Sequence, residues 1–302
     1  MMNYLYKILA ITFFASLFMA CEDEIFPELE SADPILVVDA WVTNKPGVQV
    51  IKLTRSQTYF DTTLPSGVSG AQVQITDDLG KVYSFDESTN GNYEWVPVGA
   101  EVFGEVGRKY ELSIQVGGET FTATSAMNRV PVIDSVSFTF EEANAFQDDA
   151  YFADFWATDP MGPDDNYWIK AWKNGVLLNK PGEINVAYDA GFSAGGNFDG
   201  VTFITPIRRA INPFEVDDQD LLISPYLPGD SVYVEIHSIT LQAFNFMNEV
   251  RVQTDRPGGF AELFSTPLSN VSTNVINTSG VSKVVGFFNT AAVSTSGRKL
   301  EQ

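Results

Sequence analysis

The stretch KYELSIQVGGETFTATSA, residues 109–126, has a clear strand pattern. Every second residue of its first half is apolar, and four such residues would share one face of an extended strand: Tyr110, Leu112, Ile114 and Val116. Gly117-Gly118 then supplies the two-residue loop with positive φ that a tight hairpin needs. The Thr-rich segment 119–126 has the composition of a half-exposed strand. These features predict an antiparallel β-hairpin with one buried face.

Short apolar alternations broken by turn residues extend over the whole of residues 34–128. Three examples are ILVVDAW (35–41), VQVIKLTRS (48–56) and AQVQITDDLGKVYSF (71–85). About seven strands fit into this segment, which is the strand number of an immunoglobulin-type sandwich. We therefore predict an N-terminal immunoglobulin-like or transthyretin-like β-sandwich at 34–128.

The segment NRVPVIDSVSFTF (128–140) is interrupted by Pro131, which predicts a linker into a second β-rich domain at 129–302. Strands are predicted within NYWIKAWKNG (166–175) and DSVYVEIHSI (230–239), and VSKVVGFFNTAAVSTS (281–296) predicts a final strand pair. The predicted fold class is thus all-β, with two β-sandwich domains.

One segment of the second domain changes to helical spacing. In SITLQAFNFMNEVRVQT, which begins at Ser238, apolar residues recur every three or four positions. This pattern predicts one packed helix at about 239–251, with Ser238 as its N-cap.

The N-terminus has the composition of a secretory signal peptide over residues 1–20, because Lys7 is followed by an apolar run that is too short to span a bilayer. This run ends directly at Cys21, which is the only cysteine in the sequence. The segment resembles a bacterial lipobox, which predicts cleavage after Ala20, acylation of Cys21 with chains such as palmitate, and a lipidated acidic linker over residues 21–33. The alternative is a free or buried cysteine in a secreted protein.

The charge balance excludes one class of partner. Lys and Arg number 18 against 39 Asp and Glu, which gives a formal net charge of −21 at pH 7. Such a surface repels phosphate backbones, so nucleic acid is not expected to bind.

The same charge attracts cations. The loop DPMGPDDN (159–166) offers Asp159, Asp164 and Asp165 as ligands of a structural calcium ion, the one cofactor that we consider. A solvated acidic loop fits the pattern as well, so both interpretations stay open.

Residues suited to catalysis are scarce. Histidine occurs once, as His237, and its neighbours Ile236 and Ile239 favour a structural role. The sequence contains no Gly-x-Ser-x-Gly elbow and no glycine-rich phosphate loop of common spacing. We expect a noncatalytic protein. A hydrolase that uses paired carboxylates is a weaker alternative, with these candidates: Asp154, Asp159, Asp164, Asp165, Asp217, Asp218 and Asp220.

Trp168 and Trp172 flank Lys170 on one face of the strand predicted at 166–175. If this face meets solvent, the two rings form a flat platform for a sugar or for the apolar surface of a partner. If it faces inward, both rings belong to the core. The sequence leaves both interpretations open.

Six segments follow the lipobox in a particular order: ILVVDAWVTN, VSGAQVQITDDLG, VPVIDSVSF, HSITLQAFNFMNEV, FSTPLSNVSTNV and VVGFFNTAAVS. This series resembles a large family of Bacteroidota lipoproteins of unknown function that are encoded beside TonB-dependent outer-membrane receptors. The resemblance covers nearly the whole mature chain and brings no catalytic residues with it.

The resemblance implies a lipid-anchored outer-membrane protein, exposed at the cell surface, that acts as an accessory or ligand-binding partner of a TonB-dependent receptor in nutrient uptake. In such lipoproteins an acidic run like Glu22-Asp23-Glu24 resembles an export signal to the outer leaflet, although a solvated linker has the same composition. The alternative functions are a surface glycan-binding protein that uses Trp168 and Trp172, and the carboxylate-dependent hydrolase.

Overall fold

The computed structural model describes residues 33–58, 61–143, 148–217, 219 and 221–301. The predicted signal peptide, Cys21 and the acidic run after it lie outside the described residues, as do Asp218 and Asp220. No helix within the described ranges is both long and apolar enough to cross a membrane.

The predicted all-β fold class is confirmed. The described strands are β1 (Leu36–Thr43), β2 (Gln49–Arg55), β3 (Gln72–Asp77), β4 (Val82–Thr89), β5 (Asn92–Trp95), β6 (Lys109–Val116), β7 (Glu119–Ala126), β8 (Ile133–Glu141), β9 (Ala150–Ala157), β10 (Asn166–Lys173), β11 (Val176–Leu177), β12 (Asn185–Tyr188), β13 (Ser231–Ser238), β14 (Ile276–Asn277), β15 (Val284–Ala291) and β16 (Val293–Lys299). The described helices are α1 (Thr205–Arg209), α2 (Leu241–Thr254) and the 3₁₀ turns Pro181–Glu183 and Gly259–Phe264.

The hairpin predicted at 109–126 is present as β6 and β7, which pair from Lys109↔Ala126 to Val116↔Glu119. Gly117 and Gly118 form the turn with φ values of 61° and 81°, a conformation that glycine adopts without a Cβ clash. The apolar positions Tyr110, Leu112 and Ile114 are buried, as the period of two predicts.

The first sheet has nine strands in the order β14-β7-β6-β3-β4-β5-β2-β1-β15. Its last strand, β15, comes back toward β7, where the backbone N–H of Thr290 donates to Oγ of Ser125 at 2.9 Å. The side-chain amide of Asn274 joins the same two strands by donating to the carbonyl oxygens of Phe288 at 2.7 Å and Thr124 at 3.4 Å. The sheet is therefore nearly closed around one hydrophobic core.

The pairing of β1 with β15 is parallel and extends from Leu36↔Val284 to Thr43↔Ala291. Gly286 lies opposite Val38 in this pair with a φ of 101°. A Cβ at this position would overlap the carbonyl oxygen of Val38. Glycine is needed here both for its backbone conformation and for the close approach of the two strands.

The second sheet has the order β11-β10-β13-β16, with β12 also paired to β10. The inner faces of β10 and β13 are buried and include Tyr167, Ile169 and Ile236. They form a second core, in which Phe203 packs with ring centroids 5.4 Å from both Tyr167 and Phe155 of β9. The two-stranded sheet of β8 and β9 borders this core.

The two strands predicted within 281–296 are present as β15 and β16, but they do not pair with each other. Ala292 alone separates them, and β15 joins the first sheet whereas β16 joins the second. Ser238 of β13 fixes this crossing point, because it exchanges two hydrogen bonds of 2.9 Å with the backbone of Ala292.

Residues Pro34–Gln302 form one compact unit. Val130 packs against both of its two large cores. The first sheet is nevertheless completed by β14 and β15 from the other end of the chain. The division into two domains at 34–128 and 129–302 stays a prediction.

The predicted helix is present as α2, but its start and its cap differ from the prediction of 239–251. Thr240 is the N-cap, and its hydroxyl accepts a bond of 3.2 Å from the backbone N–H of Ala243. Ser238 ends β13 instead and donates to the carbonyl oxygen of Asn128 at 2.8 Å. Ile239 also bonds as part of the sheet, because its N–H donates to the carbonyl oxygen of Asn166. Because Ser238 and Ile239 are hydrogen-bonded within the sheet, the helix begins only after them, at Leu241.

Candidate functional site

The outer face of the second sheet carries aromatic and charged side chains in register. Trp168, Lys170 and Trp172 of β10 lie opposite His237, Glu235 and Tyr233 of β13, respectively. Because side chains alternate along a strand, these residues point away from the second core. We call this surface the aromatic face, and it consists of Trp168, Lys170, Trp172, Tyr233, Glu235 and His237.

One end of the aromatic face is covered by the first sheet. Trp41 of β1 packs edge-on against Trp168 with ring centroids 5.1 Å apart. Phe287 of β15 and Phe246 of α2 complete the cluster, at 5.8 Å and 6.2 Å from Trp41. Trp168 is thus half-buried, with Trp41 packed against its ring.

The other end of the aromatic face is more open. Trp172 and Tyr233 are in contact, with centroids 5.4 Å apart and ring planes inclined by 58°. Tyr233 keeps 38% of its surface exposed. Lys45, from the β1–β2 loop, places its amine 5.9 Å from the Tyr233 ring, and the Lys170 amine lies 5.6 Å from the Trp172 ring. We call the pair Trp172 and Tyr233 the aromatic shelf.

The buried carboxylate of Glu235 connects the β1–β2 loop to β13. Glu235 accepts hydrogen bonds from Lys45 Nζ and, at 2.7 Å, from Nε2 of His237. Burial alone would raise the pKa of Glu235, but the bonds from His237 and Lys45 outweigh it and bring the pKa to about 2. Burial lowers the pKa of His237, so the ring is neutral at pH 7 and donates through Nε2–H. The histidine is therefore tied into a structural network.

The residues predicted to bind calcium separate into two groups. Asp159 and Asp165 lie together with Asp189, their carboxylate oxygens within 4.8 Å of one another, and all three are buried. Asp164 instead accepts a hydrogen bond from the hydroxyl of Tyr188. We call the group of Asp159, Asp165 and Asp189 the carboxylate cluster.

Sequence reasoning missed Asp189, which lies 24 residues beyond Asp165. The pairing of Asn166 with Tyr188 between β10 and β12 brings it into the cluster, where its carboxylate accepts the backbone N–H of Asp165 at 3.0 Å. Asp189 has a φ of 49°, a value that Asp and Asn tolerate better than most residues do. The residue type shows that Asp189 can adopt this conformation. It does not show which strand lies beside it.

Several donors partly compensate the charge of the carboxylate cluster. Arg129 binds Asp165 through Nη2 at 2.6 Å and through Nε at 3.0 Å, and the hydroxyl of Tyr167 donates to Asp159 at 2.6 Å. Burial raises the pKa of both Asp159 and Asp189, and repulsion between the carboxylates adds to this effect. Three carboxylate oxygens at this spacing suit a hard cation such as calcium, which remains a prediction.

A family model described as "Domain of unknown function (DUF4249)" matches residues 22–297. The chain belongs to this family. The matched region includes the first sheet, the aromatic face and the carboxylate cluster, and it ends within β16. None of the curated proteins compared with the sequence matches it.

We predict that Asp189→Asn stabilises the protein at pH 7. A carboxyl group whose pKa is raised by folding favours the folded state when protonated, and this contribution is lost as pH rises through the folded pKa. The amide removes the charge, keeps an acceptor for Asp165 N–H and tolerates the backbone conformation. Urea unfolding should show a gain of roughly 1 kcal/mol at pH 7 that shrinks as the pH is lowered toward the carboxyl range.

Asp134, exposed on β8, provides the matched control, because Asp134→Asn should leave stability unchanged. A loss of stability for Asp189→Asn at pH 7 in EDTA would contradict the electrostatic argument. The same samples with added calcium test the metal site: wild type should gain stability and Asp189→Asn should not. If wild type does not respond to calcium, the calcium prediction is wrong.

Proposed function

We propose that this protein is a noncatalytic accessory lipoprotein of the outer membrane, anchored through Cys21, that binds a ligand for a TonB-dependent receptor in nutrient uptake. The observation that carries the binding role is the aromatic shelf. Trp172 and Tyr233 lie on a strand pair that is packed from behind, with Lys45 and Lys170 beside them. Preformed aromatic surface next to polar groups is typical of ligand sites.

The positions of the ionisable groups support binding over catalysis. His237 is 7% exposed and committed to Glu235, so it is poorly placed to exchange protons with a substrate. The carboxylates of the cluster are also buried, with exposures of 2% for Asp159 and 7% for Asp165. A glycosidase needs two carboxyl groups that flank an accessible bond. The carboxylate-dependent hydrolase is therefore the weaker proposal.

The lipid anchor rests on the sequence around Cys21. Residues 1–20 have the composition of a removable apolar segment, and the net charge of −21 opposes adsorption to anionic headgroups. Stable attachment of such an acidic protein to a membrane would therefore come from acyl chains on Cys21. Lipidation would also keep the aromatic shelf at high effective concentration near a membrane-embedded receptor.

Replacing Cys21 tests the anchor. We expect Cys21→Ser to move the protein from the membrane fraction to the soluble fraction and to remove the mass of the acyl chains, with an unchanged circular dichroism spectrum. Ser31→Ala, in the linker, is the control and should stay in the membrane fraction. A Cys21→Ser protein that remained membrane-bound, with the same mass as wild type apart from the substitution, would contradict the proposal.

Glycans are a second candidate for the ligand, and the composition of the aromatic shelf favours them. Tryptophan and tyrosine rings stack on the apolar faces of sugars with modest but directional energy. Trp168 would contribute to such a site indirectly, since it supports Lys170, whose amine lies 4.7 Å from the Trp168 ring. Trp172 is the residue that would contact the sugar.

Trp172→Ala tests glycan binding. The substitution should weaken the binding of cell-surface polysaccharides about tenfold or more, equivalent to about 1.4 kcal/mol, in calorimetry or on a glycan array. Trp156→Ala is the matched control: Trp156 is 36% exposed on β9, where the guanidinium of Arg208 covers its ring at 4.1 Å. Equal glycan affinity in wild type and both variants would exclude the aromatic shelf as the glycan site.

A further inference from the structure

Lys170 is a half-buried lysine beside the aromatic shelf, and its charge lacks a direct partner. Its amine lies 4.7 Å from the centroid of the Trp168 ring and 5.6 Å from that of Trp172. Within the part of the chain that the structure describes, this amine forms no ion pair and no hydrogen bond. Lys173 of the same strand, by contrast, binds Asp230 at 3.1 Å. An ammonium group that has lost part of its water gains most from an anion placed beside it.

The carboxylates that act on Lys170 are engaged with other lysines. Glu235 is bonded to Lys45. Asp39 lies opposite Lys52 in the pairing of β1 with β2, and Lys52 affects it more strongly than Lys170 does. Burial lowers the pKa of Lys170, and attraction to Glu235 and Asp39 does not offset this effect. The charge of Lys170 is therefore only partly compensated within the protein.

The charged side chains around the aromatic face leave a positive excess. Three lysines interact there with two carboxylates, which gives a local net charge of +1: Lys45, Lys52, Lys170, Asp39 and Glu235. His237 adds no charge, because its buried ring is neutral at pH 7. Charges within a few ångströms act on a ligand far more strongly than distant charges, which salt screens. The surroundings of the aromatic shelf therefore favour an anionic ligand.

The rings beside Lys170 favour an anion that is attached to a ring-sized apolar surface. Trp172 contacts Tyr233, which is 38% exposed. A sugar ring can stack on such aromatic surface. A uronic acid carries its carboxylate directly on the sugar ring, so a stacked ring would bring its acid group to the border of the shelf, where the amine of Lys170 lies. A charge-assisted hydrogen bond between the two would be stronger than one between neutral groups.

We propose that the aromatic shelf binds acidic polysaccharides and that Lys170 recognises the carboxylate of a uronic acid. The inference rests on the proposed glycan binding by this shelf and adds the class of sugar to it. Trp172 and Tyr233 would contact the sugar ring, which neutral sugars offer as well. Lys170 would select the acid.

Calorimetry with polygalacturonate and alginate, each compared with its carboxyl-esterified form, tests this selectivity. Esterification removes the charge of the ligand and keeps its sugar rings. Wild type should bind at least one of the two acids about tenfold more tightly than the corresponding ester. The difference should shrink in about 1 M salt, because salt screens the attraction between ammonium and carboxylate.

Substitutions of Lys170 assign the selectivity to this residue. Lys170→Met keeps an unbranched side chain beside Trp168 but removes the charge, so acid and ester should bind with equal affinity. Lys170→Arg keeps the charge and should keep a preference for the acid. Lys81→Met is the matched control and should bind like wild type, since Lys81 also lies near an aromatic ring, 4.6 Å from Tyr83, but is paired with Glu101.

The outcomes separate this inference from the proposed glycan binding. Equal affinity of wild type for acids and esters would overturn the inference and leave glycan binding intact. A preference for the acid that persists in Lys170→Met, with a circular dichroism spectrum like that of wild type, would also overturn it. If Lys170→Met does not fold, the comparison of wild type with Lys170→Arg decides. If wild type binds none of the four polysaccharides, the inference is wrong, and the array measurement with Trp172→Ala decides separately on glycan binding.

Discussion

The parallel pairing of β1 with β15 connects the first sheet to the end of the chain. It joins Leu36–Thr43, at the start of the described chain, to Val284–Ala291 near its end. Gly286 makes the approach possible, since any side chain there would overlap the backbone of Val38. Ala292 then passes the chain directly into β16 of the second sheet. Because only Ala292 lies between β15 and β16, the two sheets are held close to each other at this point.

The aromatic face follows from this arrangement. Trp41 projects from β1 onto Trp168, and Lys45 from the next loop reaches the buried carboxylate of Glu235. Both contacts depend on the position of β1, which its pairing with β15 fixes. Removing a partner from a buried charge leaves that charge uncompensated, so Glu235 links the position of the first sheet to the stability of the second. The aromatic shelf is the part of this face that β1 leaves open.

Patterns of local period predict much of the fold. The alternation in KYELSIQVGGETFTATSA, the glycine pair at its centre and the helical spacing after Ile239 each correspond to an element of the structure. Such patterns tell which face of a strand is buried but not which strand lies beside it. The parallel partner of β1 and the arrival of Asp189 beside Asp165 both depend on long-range pairing, which leaves no local signature. For the same reason the strands within 281–296 are predicted as a pair although they lie in different sheets.

The first sheet includes strands from the end of the chain, so a fragment of residues 34–128 tests whether the sheet forms without them. Without β15, strand β1 becomes an unpaired edge and Phe288 is missing from the first core. We expect that this fragment, expressed alone, shows no cooperative urea unfolding transition, whereas residues 34–302 unfold cooperatively. A fragment of residues 34–128 that unfolds in one sharp transition, with the stability of the longer chain, would contradict this dependence.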